Sequence, residues 1–182
     1  MSRERQRHRP AMEIDIAGVG DGEYAFAFDV PASAINLDES FVGNVKVEGT
    51  LRKVSSQFFL TSTITRTYVR ECDRCLAEIR VEGSIPLTVY YRTEFGDRRG
   101  LEDEDNVVTL EPDQESIVLD DEVRDAILLD LPAKVLCREE CRGLCPGCGA
   151  DLNSDACRCE TPAIDPRWEK LAEMLKKNGD QE

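Results

Sequence analysis

Residues 79–89, Ile-Arg-Val-Glu-Gly-Ser-Ile-Pro-Leu-Thr-Val, show the pattern that decides the fold of this chain. Their apolar residues stand at odd-numbered positions, and this two-residue period is typical of a strand with one buried face. These residues are Ile79, Val81, Ile85, Leu87 and Val89. The same alternation runs through 45–52, and β-branched residues are frequent from 12 to 91. Because Pro86 cannot donate a ladder hydrogen bond, we expect it at a sheet edge or a bulge. The pattern therefore predicts an antiparallel, β-rich N-terminal region.

One or two helices are expected C-terminal to these strands, which makes the fold class α+β. Asp120 or Asp121 is a candidate N-cap for a helix that ends before Pro132. Its apolar residues are Val123, Ala126, Ile127 and Leu131. The second helix is predicted to begin at Asp165 and Pro166, since proline favours the first helical position. Its apolar stripe is Trp168, Leu171 and Leu175.

The charge of the chain is strongly acidic and unevenly distributed. The 182 residues contain 23 Lys and Arg against 37 Asp and Glu, a net charge of −14. Between residues 94 and 130 there are 14 acids and 3 bases, so this region alone carries −11. Such a surface repels polyanions and complements a basic protein. We predict a β-rich domain over 1–136 with an acidic loop near 94–106, and a cysteine-rich metal module with the C-terminal helix over 137–182.

The location of the protein is expected to be cytoplasmic. No apolar run approaches the roughly 18 to 20 residues that span a bilayer. The basic N-terminus is not followed by the apolar segment of a secretory signal. Membrane association is therefore not predicted, and the eight cysteines are expected to be reduced thiols or metal ligands rather than disulfides.

Six of the eight cysteines lie close together near the C-terminus, and the other two form a separate pair. The six are Cys137, Cys141, Cys145, Cys148, Cys157 and Cys159. The piece Cys145-Pro146-Gly147-Cys148-Gly149 has the composition of a zinc knuckle, in which two thiolates two residues apart bind one ion. Cys72-Asp73-Arg74-Cys75 repeats the spacing on a predicted hairpin corner.

All eight cysteines are candidate metal ligands, and structural zinc is the favoured metal. Cys145 and Cys148 are expected to pair with two of Cys137, Cys141, Cys157 and Cys159. Cys72 and Cys75 either complete a second all-thiolate site or form a structural corner. The loop around the knuckle has few apolar side chains, so a metal would supply its missing stability. An iron–sulfur cluster uses the same ligands, and a redox Cys-x-x-Cys centre at Cys72 remains an alternative.

No catalytic residue is predicted. The chain lacks GxGxxG, P-loop and GxSxG motifs, and its one histidine, His8, lies in the N-terminal tail. We therefore expect neither an enzyme nor a small-molecule substrate. Arg70, Arg74 and Arg80 cluster near the hairpin corner and are predicted to contact RNA phosphates, with Tyr68 as a stacking face and Arg66 beside it.

The order of these motifs is similar to that of a known family. The segment Cys72-Asp-Arg-Cys75-Leu76 is followed by Leu131-Pro132, by CREECRGLCPGCGADLNSDACRC at 137–159, and by Asp165-Pro166-Arg167. Together they resemble the bacterial YceD family, the large ribosomal RNA subunit accumulation proteins, from about Tyr68 to Leu175. The resemblance implies a non-enzymatic role in the accumulation or processing of large-subunit (23S) ribosomal RNA in ribosome biogenesis.

The partners expected from this reading are large-subunit ribosomal RNA, a basic large-subunit ribosomal protein, or both. The acidic region favours the protein because the two charges are complementary. Two alternatives remain from the residues alone: a zinc-stabilised interaction module unrelated to ribosomes, and a thiol redox protein.

Overall fold

The computed structural model describes residues 9–93, 107–159 and 166–168. Within these residues the chain forms seven strands, one α-helix and two short 3₁₀ turns. The strands are β1 Glu13–Asp15, β2 Gly22–Pro31, β3 Asn44–Val54, β4 Gln57–Glu71, β5 Glu78–Thr93, β6 Val107–Leu110 and β7 Ser116–Val118. The helix is α1 Asp120–Leu129, and the 3₁₀ turns are Ala32–Ile35 and Pro166–Trp168. The fold is therefore mostly β-sheet.

The main sheet has five strands in the order β2-β3-β4-β5-β6. The first four pair antiparallel as successive hairpins, with Leu51 opposite Leu60 and Ile64 opposite Ile85. A turn at Ser55 and Ser56 joins β3 to β4. Strand β6 pairs parallel with the end of β5, while β1 and β7 form a separate antiparallel ribbon. The predicted antiparallel, β-rich region is confirmed, with β6 as the parallel exception.

The alternation of apolar residues gives the main sheet one buried face. On β4 the even-numbered residues from Phe58 to Tyr68 are buried, and on β5 the buried residues are odd-numbered. Pro86 lies opposite Thr63 of β4, and the pairing of β5 with β6 begins only at Tyr90. Among the described strands, only β4 therefore flanks Pro86, as expected for a residue that cannot donate to a ladder.

Helix α1 covers the buried face of the sheet through Val123 and Ile127, which are fully buried. The prediction that Asp120 or Asp121 caps this helix is wrong, because the N-cap residue is Leu119. The carboxylate of Asp120 instead accepts hydrogen bonds from the backbone N–H groups of residues 11 and 12, at 2.9 and 2.8 Å. The helix also ends before Leu131, with Asp130 as its C-cap.

An ion pair between a buried arginine and a half-exposed aspartate holds the C-terminal end of α1 to the sheet. Arg66 projects from β4 into the core, where it is 4% exposed, and its guanidinium pairs with the carboxylate of Asp130. The same guanidinium lies 4.9 Å from the ring centroid of Tyr68. A cation placed between a carboxylate and an aromatic face is stabilised by both.

Some of the sequence predictions fall on residues outside the described ranges. They are the acidic loop at 94–106 and the C-terminal helix, of which only the 3₁₀ turn Pro166–Trp168 is described. The division of the chain at residue 137 also stays a prediction. None of the helices in the described part of the chain has the length and apolar character needed to cross a bilayer.

Candidate metal centres

The loop between β4 and β5 brings Cys72 and Cys75 together. The loop closes through two backbone hydrogen bonds, from the Cys72 N–H to the Ala77 carbonyl at 2.9 Å and from the Leu76 N–H to the Cys72 carbonyl at 3.0 Å. Leu76 takes a positive φ of 60° to complete this turn. Cys72 is fully buried and Cys75 is 9% exposed. The hairpin corner thus presents two thiols to the interior.

The chain returns to this corner more than 60 residues later, at Cys137 and Cys141. Asp73 secures the approach, because its N–H donates to the Val135 carbonyl at 2.9 Å and its carboxylate accepts from the Val135 N–H at 2.6 Å. The Sγ atoms of Cys72 and Cys141 are 3.8 Å apart, and those of Cys75 and Cys137 are 3.6 Å apart. We call these four residues the corner cluster.

The last four cysteines form a second group, the knuckle cluster. It consists of Cys145, Cys148, Cys157 and Cys159. The Sγ of Cys145 lies 3.2 Å from that of Cys157 and 3.8 Å from that of Cys159, and the Sγ atoms of Cys148 and Cys157 are 3.9 Å apart. The turn closes through a 2.8 Å hydrogen bond from the Gly149 N–H to the Cys145 carbonyl. Gly149 has a φ of +73°, which glycine adopts without strain.

The spacing of the thiols can be compared with the geometry of a metal–thiolate site. Four sulfurs placed tetrahedrally at about 2.3 Å from an ion are about 3.8 Å from one another. In each cluster all four Sγ atoms lie within 4.8 Å of one another. Most of the close Sγ–Sγ distances are near the 3.8 Å expected for a tetrahedral site. Each cluster can therefore hold one metal ion with four thiolate ligands.

A glycine lies directly against the sulfurs of the knuckle cluster. A Cβ atom at Gly147 would lie 3.0 Å from the Sγ of Cys159 and 3.9 Å from the Sγ of Cys145. A side chain at this position would press on the Sγ of Cys159 and touch that of Cys145 at an ordinary contact distance. The glycine of the Cys-Pro-Gly-Cys sequence is therefore needed for the close approach of the backbone to the metal site.

Side chains from the knuckle loop and from the hairpin both contact the corner cluster. Asn153, which lies in the knuckle loop, donates from Nδ2 to the Sγ of Cys141 in the corner cluster at 3.5 Å, and its Oδ1 accepts from the Arg142 N–H at 2.9 Å. Arg74 of the hairpin donates from Nη1 to the Cys141 carbonyl at 2.7 Å. Such contacts orient ligands and stabilise negative charge on sulfur.

The thiols within each cluster have opposite pKa shifts. Burial acts to raise the pKa of Cys72, but hydrogen bonds from the N–H groups of Arg74, Cys137 and Cys75 outweigh it and lower that pKa to about 6. Cys137 is exposed as a residue, yet its Sγ lies among the other thiols, and desolvation with a hydrogen bond to Cys141 raises its pKa to about 12. One thiol of the corner is thus ready to ionise while another is held protonated.

The knuckle cluster shows the same division. The N–H of Cys148 and the thiol of Cys157 lower the pKa of Cys145 to about 6, whereas the thiols of Cys148 and Cys157 raise the pKa of Cys159 to about 12. Four neighbouring thiolates repel one another, so all four can ionise only around a cation. Metal binding would release the remaining protons.

The structure shows how the eight thiols group, which the sequence left open. Cys145 and Cys148 group with Cys157 and Cys159, while Cys137 and Cys141 group with Cys72 and Cys75. The predicted pair on the hairpin corner thus belongs to a second set of four thiols. Asn153 and Asp73 were not among the predicted residues. The sequence shows only an Asp-Leu-Asn turn and an acid within Cys-x-x-Cys, which carry no sign of their long-range contacts.

The three arginines proposed as RNA contacts do not share one surface. Arg70 is opposite Ile79 and shares the face of the buried Tyr68, whereas Arg80 is opposite Val69 and projects from the other face of the sheet. Arg80 forms a salt bridge with Glu82 at 3.3 Å. Arg74 reaches across to the corner cluster, as described above. The prediction that Tyr68 offers a stacking face is wrong, because its ring is 2% exposed and lies beneath Arg66.

A family model described as "Large ribosomal RNA subunit accumulation protein YceD" matches residues 60–175. The match covers more than half of the chain, including most of β4, all of β5 and α1, and all eight cysteines. The chain belongs to the YceD family. The resemblance stated from the motifs is confirmed.

Two mycobacterial proteins are similar to this YceD-family chain. An uncharacterized protein of Mycobacterium bovis is 37% identical over 132 residues, which are 71% of this chain and 61% of the relative. An uncharacterized protein of Mycobacterium leprae is 30% identical over 141 residues, which are 78% of this chain and 59% of the relative. The chain thus covers less than two thirds of the length of these relatives. No solved structure matches it.

Proposed function

We propose that this YceD-family protein is a non-enzymatic binding factor that supports the accumulation of large-subunit (23S) ribosomal RNA during ribosome biogenesis in the cytoplasm. The observation that carries the proposal is the family match over residues 60–175, whose description names large-subunit ribosomal RNA. The matched segment contains both cysteine clusters, all of β5 and most of β4, so the shared activity would rest on this part of the molecule.

Zinc is the proposed metal, with one ion in each cluster. The donor set supports it, because both clusters consist of four thiols with no histidine or carboxylate, and four protein ligands leave no open position for a substrate. Zinc in such a site stabilises the fold and carries out no reaction. Elemental analysis of protein purified without chelators should find about two zinc ions per chain. Iron with acid-labile sulfide would indicate iron–sulfur clusters instead.

The proposed partners are large-subunit ribosomal RNA, a basic large-subunit ribosomal protein, or both. The grouping of Cys72 and Cys75 with two further thiols supports a metal role over a thiol redox role, since a redox pair needs only two cysteines. Arg70 and Arg80 remain proposed RNA contacts, although from opposite faces they would reach different parts of an RNA. Arg74 is better explained by its contact with the corner cluster.

Deletion of the gene in its native host tests the proposed function. We expect a lower ratio of large-subunit to small-subunit ribosomal RNA, measured on total RNA, and restoration by the wild-type gene. A variant in which Cys72, Cys75, Cys137 and Cys141 are all serine should fail to restore the ratio, because the corner would lose its metal. A deletion strain with a normal RNA ratio would refute the ribosomal role.

A further inference from the structure

A groove runs between helix α1 and the neighbouring strands of the main sheet. Its volume is about 570 Å³, within the range of sites that bind ligands or peptide side chains. One wall is the flank of α1 that carries Glu122, Ala126 and Leu129, residues spaced so that they follow one another along the helix. The other wall is formed by residues 85–89 of β5 together with Val107 and Val108 of β6.

The interior of the groove is apolar and one rim is an exposed leucine. Ile85, Leu87 and Val89 form an aliphatic row along β5, opposite Ala126. Leu129 is 86% exposed, the highest exposure of any large apolar side chain among the described residues, and its neighbour Leu128 is 44% exposed. Exposed leucines beside an aliphatic groove are typical of surfaces that bind another protein.

The polar rim of the groove is acidic. Glu122, Asp125 and Asp130 line it, and no lysine or arginine does so among the described residues. Asp130 is neutralised from below by the buried Arg66, and Asp125 contacts Arg124 at 3.2 Å. Arg124 also forms a salt bridge with Asp121 at 3.1 Å, so this one arginine contacts two carboxylates. Among the described contacts, Glu122 has no salt bridge to a lysine or arginine.

The electrostatics of Glu122 agree with this geometry. Its half-buried position, and then the charges of Asp121, Asp125 and Asp120, raise the pKa of its carboxyl group. A cationic group from outside would relieve this repulsion. An RNA phosphate would increase it, which disfavours nucleic acid as the occupant of the groove.

We propose that the groove between α1 and β5 docks a segment of a basic protein, with aliphatic side chains in the groove and Lys or Arg against the rim at Glu122 and Asp125. The proposal rests on the proposed function, since it names the place where a basic large-subunit ribosomal protein would bind. The occupant is identified by its chemistry: aliphatic residues to match the β5 row, and positive charge to match the acidic rim.

Titration of the full-length, metal-loaded chain against fluorescein-labelled peptides tests the proposal. The probe is a twelve-residue peptide that alternates lysine with valine, with both ends blocked. One comparison peptide replaces every valine with serine, and another replaces every lysine with glutamate. Because the groove offers both aliphatic surface and negative charge, fluorescence anisotropy should show at least about tenfold weaker binding of either comparison peptide.

Two variants locate the peptide on the molecule. Glu122→Gln combined with Asp125→Asn removes rim charge, and Leu129→Ser removes the exposed apolar edge without touching the core. The matched control is Asp113→Asn combined with Glu115→Gln, which makes the same charge change at exposed residues outside the groove. The two groove variants should each weaken the lysine–valine peptide about tenfold, and the control should bind it as the wild type does.

Equal binding by the groove variants and the wild type would overturn the proposal, as would equal binding of the lysine–serine peptide. A labelled decauridylate that binds the wild type and is weakened by the same groove variants would also overturn it, in favour of RNA. These outcomes are independent of the ribosomal RNA ratio in the deletion strain. A normal ratio together with groove-dependent peptide binding would refute only the proposed function.

Discussion

The corner cluster and the knuckle cluster each contain four cysteines, but their surroundings differ. In the corner, Cys72 is fully buried and Cys141 is 2% exposed, with Ile79, Leu136 and Leu144 packed around them. In the knuckle, three of the four cysteines are exposed. The corner is thus a small core in its own right, whereas the knuckle is a surface loop folded around its thiols.

The two clusters also tie the chain together over different distances. Corner thiols in contact are separated by 62 and 69 residues, whereas knuckle thiols in contact are 9 to 14 residues apart. Because the entropy of loop closure scales as (3/2)RT ln n, a corner link constrains the unfolded chain by about 1.4 kcal/mol more than a knuckle link. A metal in the corner should therefore support the whole fold, and a metal in the knuckle mainly its own loop.

Loss of one corner ligand should produce the largest effect. Cys141→Ser is expected to remove about one metal equivalent. It should also lower the free energy of unfolding more than Cys148→Ser does, and the difference between the two variants should reach about 1.4 kcal/mol, the amount that separates the two loop-closure terms. Metal analysis and guanidinium unfolding would measure both. Equal destabilisation by the two substitutions would contradict the different roles of the clusters.

Removal of the metals by a chelator should occur in two steps. Because its thiols are exposed, the knuckle cluster should release its metal first, and alkylation mapped by mass spectrometry should then modify Cys148, Cys157 and Cys159 before Cys72 and Cys141. Circular dichroism should keep its β-sheet signal through the first step. Simultaneous alkylation of both clusters would show that they open together.

A substitution at Gly147 should weaken the knuckle cluster alone. Its added Cβ in Gly147→Ala would press on the Sγ of Cys159, so we expect metal affinity at this cluster to fall about tenfold. Competition with a chromophoric chelator would measure the affinity. Gly20→Ala is the control, because a Cβ there has no heavy atom within 4 Å and should change nothing.

Loss of the hydrogen bond between the two clusters should have the smallest effect. Asn153→Ala removes the hydrogen bond to the Cys141 Sγ and the one from the Arg142 N–H, and we expect a loss of about 1 kcal/mol of stability with faster metal release from the corner. Ser154→Ala, at the exposed neighbouring position, is the control. If Asn153→Ala accelerates release only from the knuckle, the two clusters are independent.

The sequence by itself determined the longest strands, the buried face of the helix and the candidate metal ligands. Alternation at 45–52 and 79–89 shows which residues are buried, because a strand exposes its two faces in turn and this property is local. Val123 and Ile127 were likewise identified by their helical spacing. The candidate cysteine ligands and the family follow from motifs that need no tertiary information.

Only the tertiary structure decided how the thiols divide and which polar groups they contact. Cys137 is closer in sequence to Cys145 than to Cys75, yet its Sγ lies beside that of Cys75, because the β4–β5 hairpin brings the corner to it. Arg70 and Arg80 were separated for a similar reason, since their register across the hairpin puts them on opposite faces. The capping prediction for Asp120 failed because its carboxylate accepts hydrogen bonds from residues 11 and 12. These residues are more than 100 positions away, so a prediction from the local sequence does not take them into account. Contacts between distant segments are set by sheet register and packing, and these have no counterpart in the local pattern of the sequence.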